Sequence, residues 1–200
     1  MYQTECSDGR QRVVKDCAAL PWYSRGLARF LMGRERRLMR QLEGIPGFPV
    51  VRERIDRNAF SMGVLQGSVL SPDNFLLAPR RIADDLLQLV AKMHSRGVFH
   101  LDLRQRQNIL LGPGLEVLVL DFGAGWMPNP VARKFFGKLL GEVDRSAALK
   151  YLARFSPKDL TVEEAAEVLR GIRRRKMWIL SPYRSRGVEE AVQKRLQDRP

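Results

Sequence analysis

The run MHSRGVFHLDLRQRQNILLGPGLEVLVLDFGAG, residues 93–125, constrains this chain more than any other part of it. Apolar stretches at 108–111 and 115–120 flank Gly112-Pro113-Gly114, a pattern that predicts two strands joined by a hairpin turn. Polar groups sit at either end of that hairpin. His100-Leu101-Asp102 and Asn108 precede it, and Asp121-Phe122-Gly123 follows it. Asp121 ends the apolar run 117–120, which would hold it rigidly, and Gly123 lets the backbone turn immediately afterwards. Taken singly, these are an ordinary strand exit and a hydrogen-bonded loop pair. In this order, with regular elements between them, they point to a site.

Two hundred residues suffice for one large or two small domains with a real core. No apolar run approaches the roughly 18 residues needed to span a bilayer, and the start MYQTECSDGR lacks the apolar centre of a secretory signal. Cys6 and Cys17 make neither a disulfide framework nor a metal pattern and are expected as reduced thiols of a cytoplasmic protein. The net charge of +13 is unevenly spread: residues 1–60 hold 12 Lys/Arg against 7 Asp/Glu, 61–125 hold 6 against 6, and 126–200 hold 17 against 9. The segment with the polar triplets is therefore neutral and the basicity flanks it. Such flanks suit an anionic substrate, a membrane surface or nucleic acid, or form a solvated surface.

Residues 2–6 and 11–17 read as strands joined by Ser7-Asp8-Gly9-Arg10, with Val13, Lys15 and Cys17 on one face. A lysine on an otherwise apolar face calls for a carboxylate or a phosphate, unless it snorkels at a sheet edge. After Pro21 and Trp22, residues 24–43 are predicted helical, with Leu27, Phe30, Leu31, Leu38 and Leu42 inward and Glu35 set among arginines. The turn GIPGFP closes that helix, and strands follow at 49–54 and 59–65. Gly63 and Gly67 bracket a short extended connector. Residues 80–95 are predicted helical with Ile82, Leu86, Leu89, Val90 and Met93 inward and His94 at the helix end. Residues 131–200 read as mostly helical, with boundaries at Pro128, Pro130, Pro157 and Pro182. The expected fold class is α+β: a small sheet with one helix, a connector near 63–67, then a mostly helical part, with the site at their junction.

Phosphoryl transfer is positioning plus neutralisation of spreading negative charge. Its needs match the triplets: Asp102 to orient a hydroxyl, and Asn108 with Asp121 to hold Mg²⁺, which takes few carboxylates alongside water and phosphate oxygens. His100 is expected to support the loop backbone.

On these residues the chain resembles the protein kinase-like superfamily, over residues 2–125 and most specifically over 93–125. Within it, DGRQRVVKD, the GIPGFP turn and HLDLRQRQNIL are similar to small bacterial serine/threonine-kinase-like proteins near the RIO and lipopolysaccharide-kinase groups. The resemblance implies a two-lobe fold, with residues 1–65 as an N-lobe of antiparallel sheet plus one helix. Residues 66–200 would be a mostly helical C-lobe carrying a catalytic loop at 98–110 and Asp-Phe-Gly at 121–123. It implies that Asp102 is the catalytic aspartate and that Asn108 and Asp121 are the magnesium ligands. Lys15 would contact nucleotide phosphates, Glu35 would be its ion-pair partner 20 residues on, and Met62 to Leu65, including Val64, would be an adenine-binding hinge. The implied cofactors are ATP and Mg²⁺. The implied activity is ATP-dependent transfer of the γ-phosphate to a hydroxyl acceptor on a protein or a glycolipid, with a lipopolysaccharide or sugar kinase and a low-turnover pseudokinase scaffold as alternatives.

The chain departs from the superfamily pattern in four places. Asn108 lies six residues after Asp102 where five is usual, which leaves Gln107 as the off-register competitor for the metal. Leu101 replaces the common arginine, which argues against control by a phosphorylated loop docking there. No glycine-rich phosphate loop is visible in the 14 residues before Lys15, so an upstream start is expected as one explanation, and the lobe reads as truncated. No Ala-Pro-Glu triplet follows Asp121, so a peptide-docking platform is not expected. The Arg-rich helix at 25–40, with Trp22 and Phe30 nearby, is expected to pack on the sheet with a solvated outer face, an anionic lipid surface being the alternative. Nucleic acid is not expected as a partner, since the basic tail has no interleaved aromatics. The expected location is cytoplasmic, with peripheral contact to the inner membrane as a variant.

Overall fold

Strand β2 (Gln11–Asp16) carries Lys15 and lies inside a four-stranded antiparallel sheet of order β1-β2-β4-β3. Its partners are β1 (Tyr2–Glu5) and β4 (Ala59–Gly63), and β4 pairs in turn with the edge strand β3 (Val51–Arg54). The computed structural model describes residues 2–5, 11–176 and 186–197. Cys6, the turn expected at Ser7–Arg10 and the boundary expected at Pro182 lie outside those residues. β4 is buried along Ala59–Met62 because strands cover it on both sides, whereas β3 sits at the edge with Arg52, Glu53 and Arg54 exposed. Charges on such an edge oppose further strand pairing.

Helix α1 (Trp22–Gln41) follows β2. After β4, strand β5 (Ser68–Val69) joins β6 (Ile109–Leu111) and β7 (Val117–Val119) in a three-stranded sheet of order β5-β6-β7. Gly67 enters this sheet so closely that a Cβ there would sit 2.7 Å from Leu111 O, which admits only glycine. Helix α2 (Pro72–Phe75) is a single turn that the sequence reading did not anticipate. It forms because Ser71 Oγ accepts from Asn74 N–H at 3.3 Å while Asn74 Oδ1 accepts from Ser71 N–H at 2.8 Å.

Helix α3 (Pro79–Ser95) buries Ile82, Leu86, Leu89, Val90 and Met93, the face its periodicity predicts. Helix α4 (Pro130–Phe155) begins with Asn129 Oδ1 accepting from Ala132 N–H at 2.8 Å and Pro130 in the first turn. Residues 146–153 in its C-terminal half are all buried, and α5 (Val162–Lys176) and α6 (Arg186–Gln197) pack around it. The result is α+β, with small antiparallel sheets and mostly helical content. One continuous apolar core runs from Phe60 and Met62 through Leu38 and Phe122 to Leu149 and Tyr151.

Helix α1 corrects the sequence reading. Leu38 and Leu42 are buried as expected, but Leu27, Phe30 and Leu31 are exposed to 63%, 67% and 38%. Twenty residues of helix span about 30 Å. The strands beneath are four to six residues long, so the helix overhangs the sheet and only its C-terminal half is covered. In β2, Val14 on the opposite face is more deeply buried than Val13, so this strand is covered on both faces.

Candidate active site

The loop between α3 and β6 is held from behind by a carboxylate in the middle of α4. Asp144 is fully buried. Its Oδ2 accepts from the His100 N–H at 2.8 Å and from His94 Nε2 at 2.9 Å, and its Oδ1 accepts from the Leu101 N–H at 2.7 Å. That anchorage matters because Leu101 has φ +65°, a left-handed conformation that opposes the L side chain. Strain of this kind persists where surrounding bonds over-determine it. Asp144 was not singled out from the sequence. The signal that marks it is an acidic residue just before the buried run 146–153 of a helix, where a charge requires partners.

His100 does the structural work expected of it. Its ring is fully buried; Nε2 faces the Leu120 carbonyl at 3.0 Å and so carries the proton, and Nδ1 accepts from the Asp102 N–H at 3.3 Å. One imidazole thus ties the Asp102 loop to the residue before Asp121.

A 3-10 turn spans Arg106–Asn108 in this loop. It leaves Gln107 exposed and turns Asn108 inward, where its Nδ2 donates to Asp102 O at 3.0 Å and to Asp102 Oδ2 at 3.2 Å. Gln105 Nε2 donates to the same Oδ2 at 2.8 Å. Among the described residues, Asp102 Oδ1 and Asn108 Oδ1 accept nothing. The Leu120 N–H donates to Asn108 O at 3.0 Å, which brings Asn108 beside the chain entering Asp121.

Asp121 has φ +64°, caps the short turn Phe122–Ala124, and accepts from the Gly123 N–H at 3.3 Å. Phe122 is buried against His100 and Phe48, with ring centroids 4.9 Å and 5.7 Å away, so the Asp121 carboxylate faces outward from an anchored backbone. Lys15 Nζ reaches it at 3.2 Å and Glu35 Oε1 at 2.5 Å. Glu35 is 6% exposed, so α1 contributes one buried carboxylate to the sheet lysine. These contacts join sequence positions 20 and 106 residues apart.

The positions expected as a hinge divide. Met62 lies between β2 and β3, paired with Val13 and Val51, and its side chain belongs to the core. In the connector that follows, Val64 is half-buried. Among the described residues, no backbone hydrogen bond occupies the N–H or C=O of Val64, Leu65 or Gln66.

Two further supports escaped the sequence reading. Arg34 Nη2 donates to Gly123 O at 2.5 Å, tying α1 to the turn after Asp121. Lys150 Nζ donates to Arg104 O at 2.7 Å. Burial, reinforced by Arg104, Arg154 and Arg106 and opposed by Asp102, pushes the Lys150 ammonium down to about 8.

Among the described residues no three His, Cys, Asp or Glu gather into a metal cluster. The unengaged oxygens here are Asp102 Oδ1, Asn108 Oδ1 and Asp121 Oδ2, hard donors; an amide and a carboxylate such as Asn108 and Asp121 are of the kind Mg²⁺ takes while keeping water and phosphate oxygens. Asp102, Asn108, Asp121, Lys15 and Glu35 therefore form one linked set, with a free carboxylate oxygen at one end and an ammonium at the other. No family model matches the chain, and no curated protein matches it, which leaves this geometry as the ground for a function.

Proposed function

We propose that the chain is an ATP-dependent phosphotransferase with a protein kinase-like two-lobe fold that moves the γ-phosphate to a hydroxyl acceptor. The observation that carries this reading is the position of Lys15 Nζ, held between Glu35 and Asp121, at one end of the network that reaches Asp102. A cation, two oxygen donors and a base are the parts that in-line transfer requires, and none of them forms a covalent intermediate.

In this reading Val64 and the free backbone of 64–66 receive the adenine, and Lys15 grips the phosphates under the control of Glu35. Asp102 Oδ1 accepts the acceptor's proton as its oxygen bonds to the γ-phosphorus, while the bond to the β-phosphate bridging oxygen breaks and ADP leaves. Asn108 and Asp121 would hold Mg²⁺, which supplies neutralisation of charge spreading over the transferred group. Asn108 also orients Asp102 by donating to its Oδ2, so the base presents one oxygen.

The test pairs transfer with binding. Asp102→Ala should lower phosphate transfer by at least about a hundredfold and leave the Mg²⁺-ATP-induced rise in melting temperature intact. Undiminished transfer would remove Asp102 from the mechanism. A wild-type chain whose melting temperature does not move at millimolar nucleotide would favour a non-catalytic scaffold instead.

A further inference from the structure

The overhanging half of α1 has a continuation. Tyr23, Leu27, Phe30, Arg34 and Arg37 follow i, i+4, i+7, i+11, i+14 spacing and so share one face of the helix. The first part of that stripe is apolar and uncovered: Tyr23 is 73% exposed, with Trp22 beside it at 82%. The second part is cationic and enters a groove of about 640 Å³ lined by Arg29, Arg34, Arg36, Arg37, Arg40 and Trp126, with no carboxylate in its walls. A second groove of about 790 Å³ adjoins it at Met127, presents Arg96, Arg133 and Lys134, and again has no carboxylate. Beyond it the start of α4 exposes Phe135, Phe136 and Leu139, interleaved with Lys134 and Lys138.

This positive charge is uncompensated. Among the described residues no ion pair joins any of these arginines or lysines to Asp or Glu. Arg29 and Arg34 have only the neutral acceptors Asn58 Oδ1 and Gly123 O, and Arg34 Nε is buried with no partner. Burial, with Arg40 and Arg54 nearby, lowers the basicity of Arg36, a sign of like charges crowded together.

A second copy of this chain would set like charge against like charge, so the face suits an anionic partner. Nucleic-acid surfaces interleave aromatics with cations so that bases stack while phosphates pair. On α1, unlike at the start of α4, the two kinds of residue are segregated along the axis, aromatic end first and arginines behind. That order matches the depth profile of a membrane interface, where aromatic and aliphatic side chains sit below the headgroup charges.

We propose that this face docks on an anionic lipid bilayer, with Trp22, Tyr23, Leu27 and Phe30 in the interfacial layer and Arg37 and Arg40 at the headgroup phosphates. The docking stands apart from the phosphotransferase reading.

The test is co-sedimentation of the full chain, without nucleotide, with phosphatidylcholine vesicles that do or do not contain phosphatidylglycerol. Binding is expected only with phosphatidylglycerol and should be reversed by high salt. Arg37→Gln with Arg40→Gln should weaken it by more than tenfold, at about fivefold per arginine. Trp22→Ser with Phe30→Ser should weaken it by at least about tenfold. All four positions are exposed, so an unchanged melting temperature certifies the fold of each variant. Asp102→Ala should bind as the wild type does, which separates failure of docking from failure of the catalytic reading. The proposal is overturned by absence of binding to phosphatidylglycerol vesicles at low salt, or by variants that bind undiminished. It is equally overturned if a single-stranded oligonucleotide displaces the vesicles through the same residues, or if the face proves to hold a dimer that Trp22→Ser with Phe30→Ser dissolves.

Discussion

Two buried carboxylates, Asp144 and Glu35, support the candidate site in different ways. Glu35 meets one side chain, Lys15, across the gap between α1 and β2. Asp144 meets two backbone N–H groups and a histidine, and so dictates the path of the loop itself. A pair of side chains can be exchanged for another pair that packs equally well. Backbone donors cannot be mutated away, so their acceptor has no second-site substitute. The loop bearing Asp102 is therefore fixed by the fold, whereas the grip of Lys15 is adjustable.

That contrast has measurable consequences. The largest is expected for Asp144→Ala, which strands two backbone donors and a half-buried histidine and should lower the free energy of unfolding by about 3–5 kcal/mol in urea titration. Adding His94→Ala should restore almost none of it; full restoration would show that the histidine pair, not the backbone, is the point of Asp144. Lys15→Met should cost about 3 kcal/mol by leaving Glu35 buried and unpaired, and Lys15→Met with Glu35→Leu should return to within about 1 kcal/mol of wild type. A double variant as unstable as the single one would erase the difference between the two supports.

Lys150, the third prop of the loop, is tested by pH. Its folded value near 8 lies below the unfolded 10.5, so between those limits the unfolded chain binds more protons and stability rises with pH. The gain should reach at most about 3 kcal/mol by pH 10.5, with no contribution to the slope below pH 8. Lys150→Met should abolish that rise in wild-type-minus-variant unfolding free energies. The smallest effect is expected from Leu101→Gly, which relieves the positive φ and should stabilise by about 1 kcal/mol or less. A loss of stability there would mean that the Leu101 side chain, not Asp144, sets the loop.

How much was legible in advance depended on the range of the information needed. The periodicity of α3 predicted its buried face except for Ala83, because the helix is covered along its length. The same reasoning failed for Leu27, Phe30 and Leu31, since periodicity shows that a face is apolar but not how far the neighbouring sheet extends. The polar triplets were visible as residue types, yet the choice between Asn108 and Gln107 was not, because a turn at Arg106–Asn108 sets which side chain points inward. The strand expected at 59–65 includes Met62, and its pairing with both Val13 and Val51 places it in the core, whereas the hinge role came only from the family resemblance. Asp144 and Lys150 are respectively 42 and 48 residues beyond Asp102, and nothing local ties them to its loop.

By itself the sequence determined the α+β class, the hairpin with its two polar ends, and the chemical kinds it carries: two carboxylates and an amide at the hairpin, and a lysine on an apolar strand face. These follow from local propensity and from which atoms each residue carries. Tertiary structure alone decided that Asn108 faces Asp102, that Asp144 holds the strained Leu101, and that half of α1 projects beyond its sheet with arginines behind its aromatics. Each of those outcomes depends on which distant surfaces reach each other, and burial and hydrogen-bond satisfaction are properties of that meeting rather than of any one segment.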